Sequence, residues 1–362
     1  VAFNGETGHL DEMFVAEQVS LVYDSLTHYI GVTNNYGEHI DEAVDEINLL
    51  SGDGVANIKY YYNTDDSGLY ETQFNGATNA GEYYIYAYIE ISSPSIAQNY
   101  DSWDAYALLE ILKVDFIDDQ GHLGQLFLVG TSRPYDTDSH YVGVNTVDEW
   151  LNNHITSLNY EEVALTLAVS YEYSYNSVSM GVFNGTSDVG VYEVTAQIAE
   201  GTNNEGWSAT ATITIEKLTF ANIEGHLGEL FINSDVIVYD KLTHYAAVNP
   251  DDTPTDANIT SIFGCNGNLV IPVDYYYNTD GGEIYTDLFS GAADAGTYYI
   301  MAEILDTINY EGWQGYAQLE IEQLRFEDLQ GHLGNIYLKE HTLVYDTNTY
   351  YLGINDINEW EN

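Results

Sequence analysis

The chain is 362 residues long and carries 58 Asp plus Glu against 7 Lys plus Arg, a formal charge of −51. A surface this negative repels phosphate backbones and anionic headgroups, which argues against nucleic acid as a partner, and no run approaches the roughly 18 apolar residues a membrane helix needs. With 45% hydrophobic residues the chain can still bury cores, so wholesale disorder is excluded as well. The lone Cys265 allows no internal disulfide, and Val1 is followed by neither a charged n-region nor an apolar h-region, so the expectation is a mature segment or a window of something longer.

In chain order the dominant signal is repetition. Gly-His-Leu recurs with its histidine at His9, His122, His226 and His332, at steps of 113, 104 and 106 residues. A Tyr-Asp pair follows each, at Tyr23-Asp24, Tyr135-Asp136, Tyr239-Asp240 and Tyr345-Asp346. A Gly-x-Tyr motif comes next, ending at Tyr83, Tyr192 and Tyr298, and a tryptophan closes each unit at Trp103, Trp207 and Trp313. The period divides the chain into residues 1–113, 114–217, 218–323 and a partial fourth unit, 324–362. About 105 residues is too long for a solenoid turn and suits an autonomous domain.

Within each unit the pattern is that of strands. Tyr83, Ile85, Ala87 and Ile89 share one face, and the same face recurs as Tyr192, Val194, Ala196 and Ile198, then Tyr298, Ile300, Ala302 and Ile304. In the closing segment Trp207, Ala209, Ala211, Ile213 and Ile215 alternate with Ser208, Thr210, Thr212 and Thr214. A period of two with one apolar face predicts sheets packed on one side and wet on the other. Turn signals lie between, at Asn75-Gly76, Asn184-Gly185 and Ser290-Gly291. One stretch, Asp41 to Leu50, reads as a short helix or a loop, as does its counterpart Val147 to Ile155. The predicted class is all-β, with tandem sandwich domains arranged end to end.

The Asn79-Ala80-Gly81-Glu82-Tyr83 segment and its repeat Asp188-Val189-Gly190-Val191-Tyr192 look like the start of the sixth strand of an immunoglobulin domain. Together with the Tyr-Asp landmark and the Asn309-Tyr310-Glu311-Gly312-Trp313 segment, they resemble the MBG/YDG family of bacterial immunoglobulin-like repeats found in large surface proteins and adhesins. The resemblance implies an extracellular, cell-surface, structural protein and no particular ligand. Two departures stand out: Ile85, Val194 and Ile300 sit where immunoglobulin domains often place a cysteine, and the second unit has Asn203-Asn204 where the others have Asn-Tyr.

Candidate chemistry is sparse. A metal reading would pair the first histidine set with His28, His140 and His244, but Tyr350 takes that position in the fourth unit, so the histidines are expected to be structural. Acidic residues near the unit boundaries, Asp115, Asp118, Asp119, Glu224, Glu327 and Asp328, are candidate Ca2+ ligands, although they do not align at one offset. Lys113 and Lys217 end matching strands while Gln323 takes the third position, which argues against a shared isopeptide cross-link. No serine elbow, phosphate loop or His-Glu-x-x-His helix is present, so no enzyme and no organic cofactor is expected.

The reading is a spacer in a stalk, adhesin or filament, whose partners are further repeats or copies of itself. The alternative is a module that binds a glycan or a host receptor through tyrosine-rich segments (Tyr60 to Tyr62, Tyr275 to Tyr277) or through the loops Glu38 to Gly54 and Asn249 to Asn268. The fourth unit, in which Gly353 to Trp360 parallels Gly143 to Trp150, is expected either to continue or to be completed by another chain through β-augmentation.

Overall fold

A computed structural model describes residues 1–345 and 347–359. Asp346 of the fourth Tyr-Asp pair and Trp360 of the final parallel lie outside the described residues. The chain divides into two compact units. One comprises Val1–Thr131, His140–Gly185 and Val191–Ile213, and the other comprises Ser132–Ser139, Thr186–Gly190 and the residues from Thr214 onward.

Strands account for nearly all regular structure. The first repeat contributes β1 (Gln18–Val22), β2 (Glu46–Asn48), β3 (Val55–Asn63), β4 (Thr72–Gln73), β5 (Gly81–Glu90) and β6 (Asp104–Leu112), joined into one sheet in the order β1-β6-β5-β3-β2 with β4 beside β3. The second contributes β7 (Thr131–Pro134), β8 (Ser157–Tyr160), β9 (Leu165–Ala168), β10 (Ser170–Tyr175), β11 (Val178–Val182), β12 (Gly190–Ile198) and β13 (Trp207–Glu216), with main-sheet order β11-β10-β12-β13-β7. The third contributes β14 (Asp235–Val238), β15 (Ser261–Gly264), β16 (Leu269–Pro272), β17 (Asp274–Asn278), β18 (Asp287–Leu288), β19 (Gly296–Ile304) and β20 (Trp313–Glu322), in the order β14-β20-β19-β17-β18. The fourth shows only β21 (Tyr337–Leu338) paired with β22 (Ile354–Asn355). Residues 41–50 form a loop running into β2, and 147–155 form a loop, so neither is helical. The α-helix of the described residues is the single turn Pro94–Ala97.

In each main sheet the first strand returns to lie beside the last. β1 pairs in parallel with β6 and β14 with β20, whereas β5 with β6 and β19 with β20 are antiparallel. The opposing layer is thin. In the first repeat it is held by isolated bridges, His28 to Ala77, Gly31 to Ile40 and Phe14 to Thr33, rather than by long ladders. The predicted apolar faces point between the layers: Ile30, Val32, Phe74 and Ala77 pack on Ile85, Ala87, Leu109 and Ile111. In the third repeat Val248, Ile271 and Ala292 do the same against Ile300, Ala302, Leu319 and Ile321. Each fully buried branched side chain of this kind contributes about 1.5–3 kcal/mol.

Two recurring tyrosine positions fix the sandwich. At the glycine–tyrosine corner the Tyr83 hydroxyl donates to the Asn79 carbonyl at 2.9 Å and Tyr298 donates to Asp294 at 2.9 Å, the tyrosine corner of immunoglobulin-like domains. Across the core, the Tyr60, Tyr171 and Tyr275 hydroxyls accept the backbone N–H groups of Val32, Val144 and Val248 at 3.3, 3.2 and 3.1 Å, tying one layer to the other. Ile85, Val194 and Ile300, at the positions a disulfide would use, are 1%, 0% and 0% exposed. Close packing takes the place of the covalent link. The chain is therefore an all-β protein of repeated immunoglobulin-like sandwiches.

Candidate functional site: histidine pins, junction loops and a tyrosine face

The Tyr-Asp landmark ends the first strand of each main sheet. The N–H groups of Tyr23, Tyr135 and Tyr239 donate to the carbonyls of Leu112, Glu216 and Glu322, all at 2.9 Å, which stitches that strand to the closing strand. The residue after the aspartate, Ser25, Thr137 or Lys241, has φ near +70°. The aspartate side chain caps the resulting turn by accepting an N–H two residues on, Leu26 at 2.8 Å, Asp138 at 3.0 Å and Leu242 at 2.7 Å.

That turn aims the carboxylate at a buried histidine four residues later. His28 lies between Asp24, 2.9 Å from Nε2, and Asp41, 2.8 Å from Nδ1. His244 lies between Asp240 at 3.0 Å and Asp256 at 2.8 Å. The backbone of each histidine also forms both hydrogen bonds of the bridge to Ala77 or Ala292. Burial by itself would lower the pKa of these imidazoles, but hydrogen bonds and charge from two carboxylates reverse that effect, and both are held above their ordinary value. Burial alone would raise Asp41, but the hydrogen bond from His28 and that from Tyr29 N–H, at 2.6 Å, outweigh it and hold its carboxyl below the ordinary value. In the second repeat His140 is 2% exposed and Asn152 replaces the second aspartate, accepting Tyr141 N–H at 2.8 Å. Asp41, Asn152 and Asp256 were not singled out from the sequence. Their signal was present as an Asp or Asn 12 or 13 residues beyond each histidine.

The other histidine set performs a different task. Nδ1 of His9, His122, His226 and His332 accepts the backbone N–H seven residues earlier, from Ala2, Asp115, Thr219 and Arg325, at 2.8–3.2 Å. The following leucine N–H of Leu10, Leu123, Leu227 and Leu333 closes the same loop onto the carbonyl eight residues back at 2.9–3.1 Å. The preceding glycine has φ between +82° and +87°, a conformation L side chains resist. A Cβ on Gly121 would lie 3.5 Å from Val22, one on Gly331 3.5 Å from Val238, and one on Gly225 2.6 Å from Pro134. The loops that open the second, third and fourth repeats thus rest on the strand that ends at the preceding repeat's Tyr-Asp pair.

More contacts converge on these junctions. Lys113 pairs with Glu200, and Lys217 with Asp306 at 3.1 Å. Asn203 accepts Ala80 N–H at 2.8 Å and donates to Asn79 at 3.2 Å, gripping the corner of the first repeat, while Asn204, which takes the tyrosine's place, donates to the Ala199 and Glu205 carbonyls at 3.0 and 2.8 Å. Val163 and Leu165, at the β8–β9 hairpin, pack against the first repeat's core. Cys265, on the corresponding β15–β16 turn, places Sγ 3.6 Å from the Tyr135 carbonyl, and burial followed by the Asp136 and Asp138 charges pushes its thiol pKa up.

The acidic candidates are scattered around these loops. Asp115 Oδ1 accepts Ile117 N–H at 3.0 Å, Asp118, Asp119, Glu224 and Asp328 are exposed, and Glu327 lies 3.7 Å from both His332 and Arg325. Among the described residues no group of three or more His, Cys, Asp or Glu could hold a metal ion. Trp103, Trp207 and Trp313 are half-buried at the closing strands, and the indole N–H of Trp103 donates to the Met13 carbonyl at 3.2 Å.

The solvent face of the first main sheet is aromatic. The register aligns Tyr61, Tyr86 and Tyr106 across β3, β5 and β6, with Lys59, Tyr88 and Asp104 in the next row. Tyr70 closes over the row, and ring centroids lie 5.0–6.0 Å apart through Tyr61–Tyr88, Tyr88–Tyr86, Tyr86–Tyr106 and Tyr70. The third repeat has a partial version in Tyr276, Met301 and Tyr316 with Tyr285. The second has Glu172, Thr195 and Thr210, the two threonines hydrogen-bonded at 3.0 Å.

No protein-family model matches the chain, and no curated protein matches it. Among solved structures, four cadherin-like domains of zebrafish RET align over 74% of this chain and 65% of theirs, at 8% identity and a TM-score of 0.22. Drosophila N-cadherin EC1-3 aligns over 85% and 98%, at 5% identity and a TM-score of 0.21. Three N-terminal domains of the bacteriophage RB49 outer capsid protein Hoc align over 86% and 98%, at 12% identity and a TM-score of 0.20. Likenesses this low carry no argument about function.

Proposed function

We propose that the chain is part of an extracellular structural protein whose MBG/YDG-like repeats, 1–113, 114–217, 218–323 and the unit beginning at 324, act as spacers in a surface stalk or filament. Its partners are further repeats or other copies of the protein, and no catalytic role is assigned to any residue. The observation that carries the reading is the recurrence of one junction design. A histidine-braced Gly-His-Leu loop leans on the preceding repeat's first strand at Val22, Pro134 and Val238. What repeats is the contact across the border, made at three successive junctions, and a spacer depends on a reproducible joint.

Single-molecule stretching of the full chain between handles tests this. Three independent repeats should give up to three force peaks, each releasing roughly 350 Å of contour length, from about 105 residues at ~3.3–3.6 Å each. A single peak releasing the whole chain would overturn the division into separate domains.

A further inference from the structure

We propose that the solvent face of β3, β5 and β6 in the first repeat is a docking surface for an arginine-rich, cationic peptide segment of a partner protein. A spacer does not require this face to be aromatic, because the second repeat builds the same sheet with Glu172, Thr195 and Thr210 at the matching places. The choice of occupant follows from ring geometry and charge. With centroids 5.0–6.0 Å apart and planes inclined by 13–53°, the tyrosines pack against one another as one continuous aromatic patch. Tyr61, Tyr70, Tyr86 and Tyr88 are half-buried, and the end ring Tyr106 is 57% exposed.

Carboxylates surround the cluster. Asp104 and Glu90 lie at one end of the strands, and Glu82, which accepts the Tyr84 hydroxyl at 2.9 Å, faces Glu110 at the other. Lys59 is the one basic residue in these rows. Beside Tyr106 and Asp104 opens a groove of about 810 Å³, walled by Phe14, Tyr36 and Trp103 and carrying Glu17. A guanidinium can lie on an exposed ring and donate to a carboxylate at the same time, and unlike a neutral sugar or a carboxylate-bearing ligand its positive charge is drawn to the acidic residues around the site.

The test is fluorescence titration of the full chain with labelled nona-arginine at 0.15 M NaCl. The double variant Tyr86→Thr/Tyr106→Thr copies the second repeat and leaves net charge unchanged. It should weaken binding about tenfold through lost cation–π contacts. Asp104→Asn/Glu90→Gln should weaken it by a similar factor, while Glu172→Gln/Glu193→Gln, removing the same charge from the second repeat, should change it less than twofold. Equal losses from the two charge-removing pairs would overturn the proposal, leaving only general attraction to an acidic chain. So would nona-arginine affinity unaffected by the tyrosine changes, with or without binding of neutral oligosaccharides that those changes abolish. If the threonine variant fails to fold, the comparison of the two charge pairs still decides, since neither pair touches the ring contacts.

Discussion

The histidine pins make stability depend on pH in a defined direction. Because His28 and His244 have pKa values raised by folding, their stabilisation is complete below the unfolded value near 6.5 and fades as pH rises through the folded values. Asp41 and Asp240 are lowered, so their share is present above about 3.8 and fades as pH falls. Thermal scans should show the wild type melting higher than His28→Asn/His244→Asn at pH 6, with the gap narrowing by pH 8.5. A constant gap would deny the pins their charge. The junction glycine separates two other costs. Gly8→Ala meets φ of +85° and no neighbour within 4 Å, so it should destabilise by about 1 kcal/mol from backbone strain alone. Gly225→Ala adds a 2.6 Å approach to Pro134 and should cost distinctly more, measured by chemical denaturation. The histidines were legible as repeated positions, but their carboxylate partners were not, because a spacing of 12 or 13 residues has no meaning until the loop between them is folded.

At the scale of elements, alternation was readable because its period is independent of long-range pairing. The faces Tyr83-Ile85-Ala87 and Tyr298-Ile300-Ala302 are the buried ones, as the pattern required. The opposing layer was less legible, since bridges of one residue pair leave no strand-length signature. The tyrosine face of the first repeat was legible only in part: the run Tyr60 to Tyr62 marked it, but Tyr61, Tyr86 and Tyr106 are far apart in sequence and meet only through register. Ile300→Ala, at a site with no exposure, should cost about 2–5 kcal/mol and be visible as a lower-melting transition. Lys217→Ala breaks a half-exposed ion pair with Asp306 and should cost at most about 1 kcal/mol, less at high salt.

For the whole molecule the charge of −51 sets the solution behaviour. Raising NaCl from 10 mM to 0.5 M should raise the melting temperature, because the Debye length contracts from about 30 Å to well under 10 Å. The scattered junction carboxylates favour a diffuse ion atmosphere. Calcium and magnesium at equal ionic strength should therefore act alike, and a saturable effect of micromolar calcium would point to a specific site instead. The parallel pairing of β1 with β6, and of β14 with β20, has a mechanical corollary. Tension applied through the chain draws the first strand backward and the last strand forward along their common axis. The rungs from Gln18–Leu108 to Val22–Leu112 are then sheared together instead of being unzipped one by one. A sandwich wired in this way resists being pulled from its ends far better than its modest opposing layer would suggest.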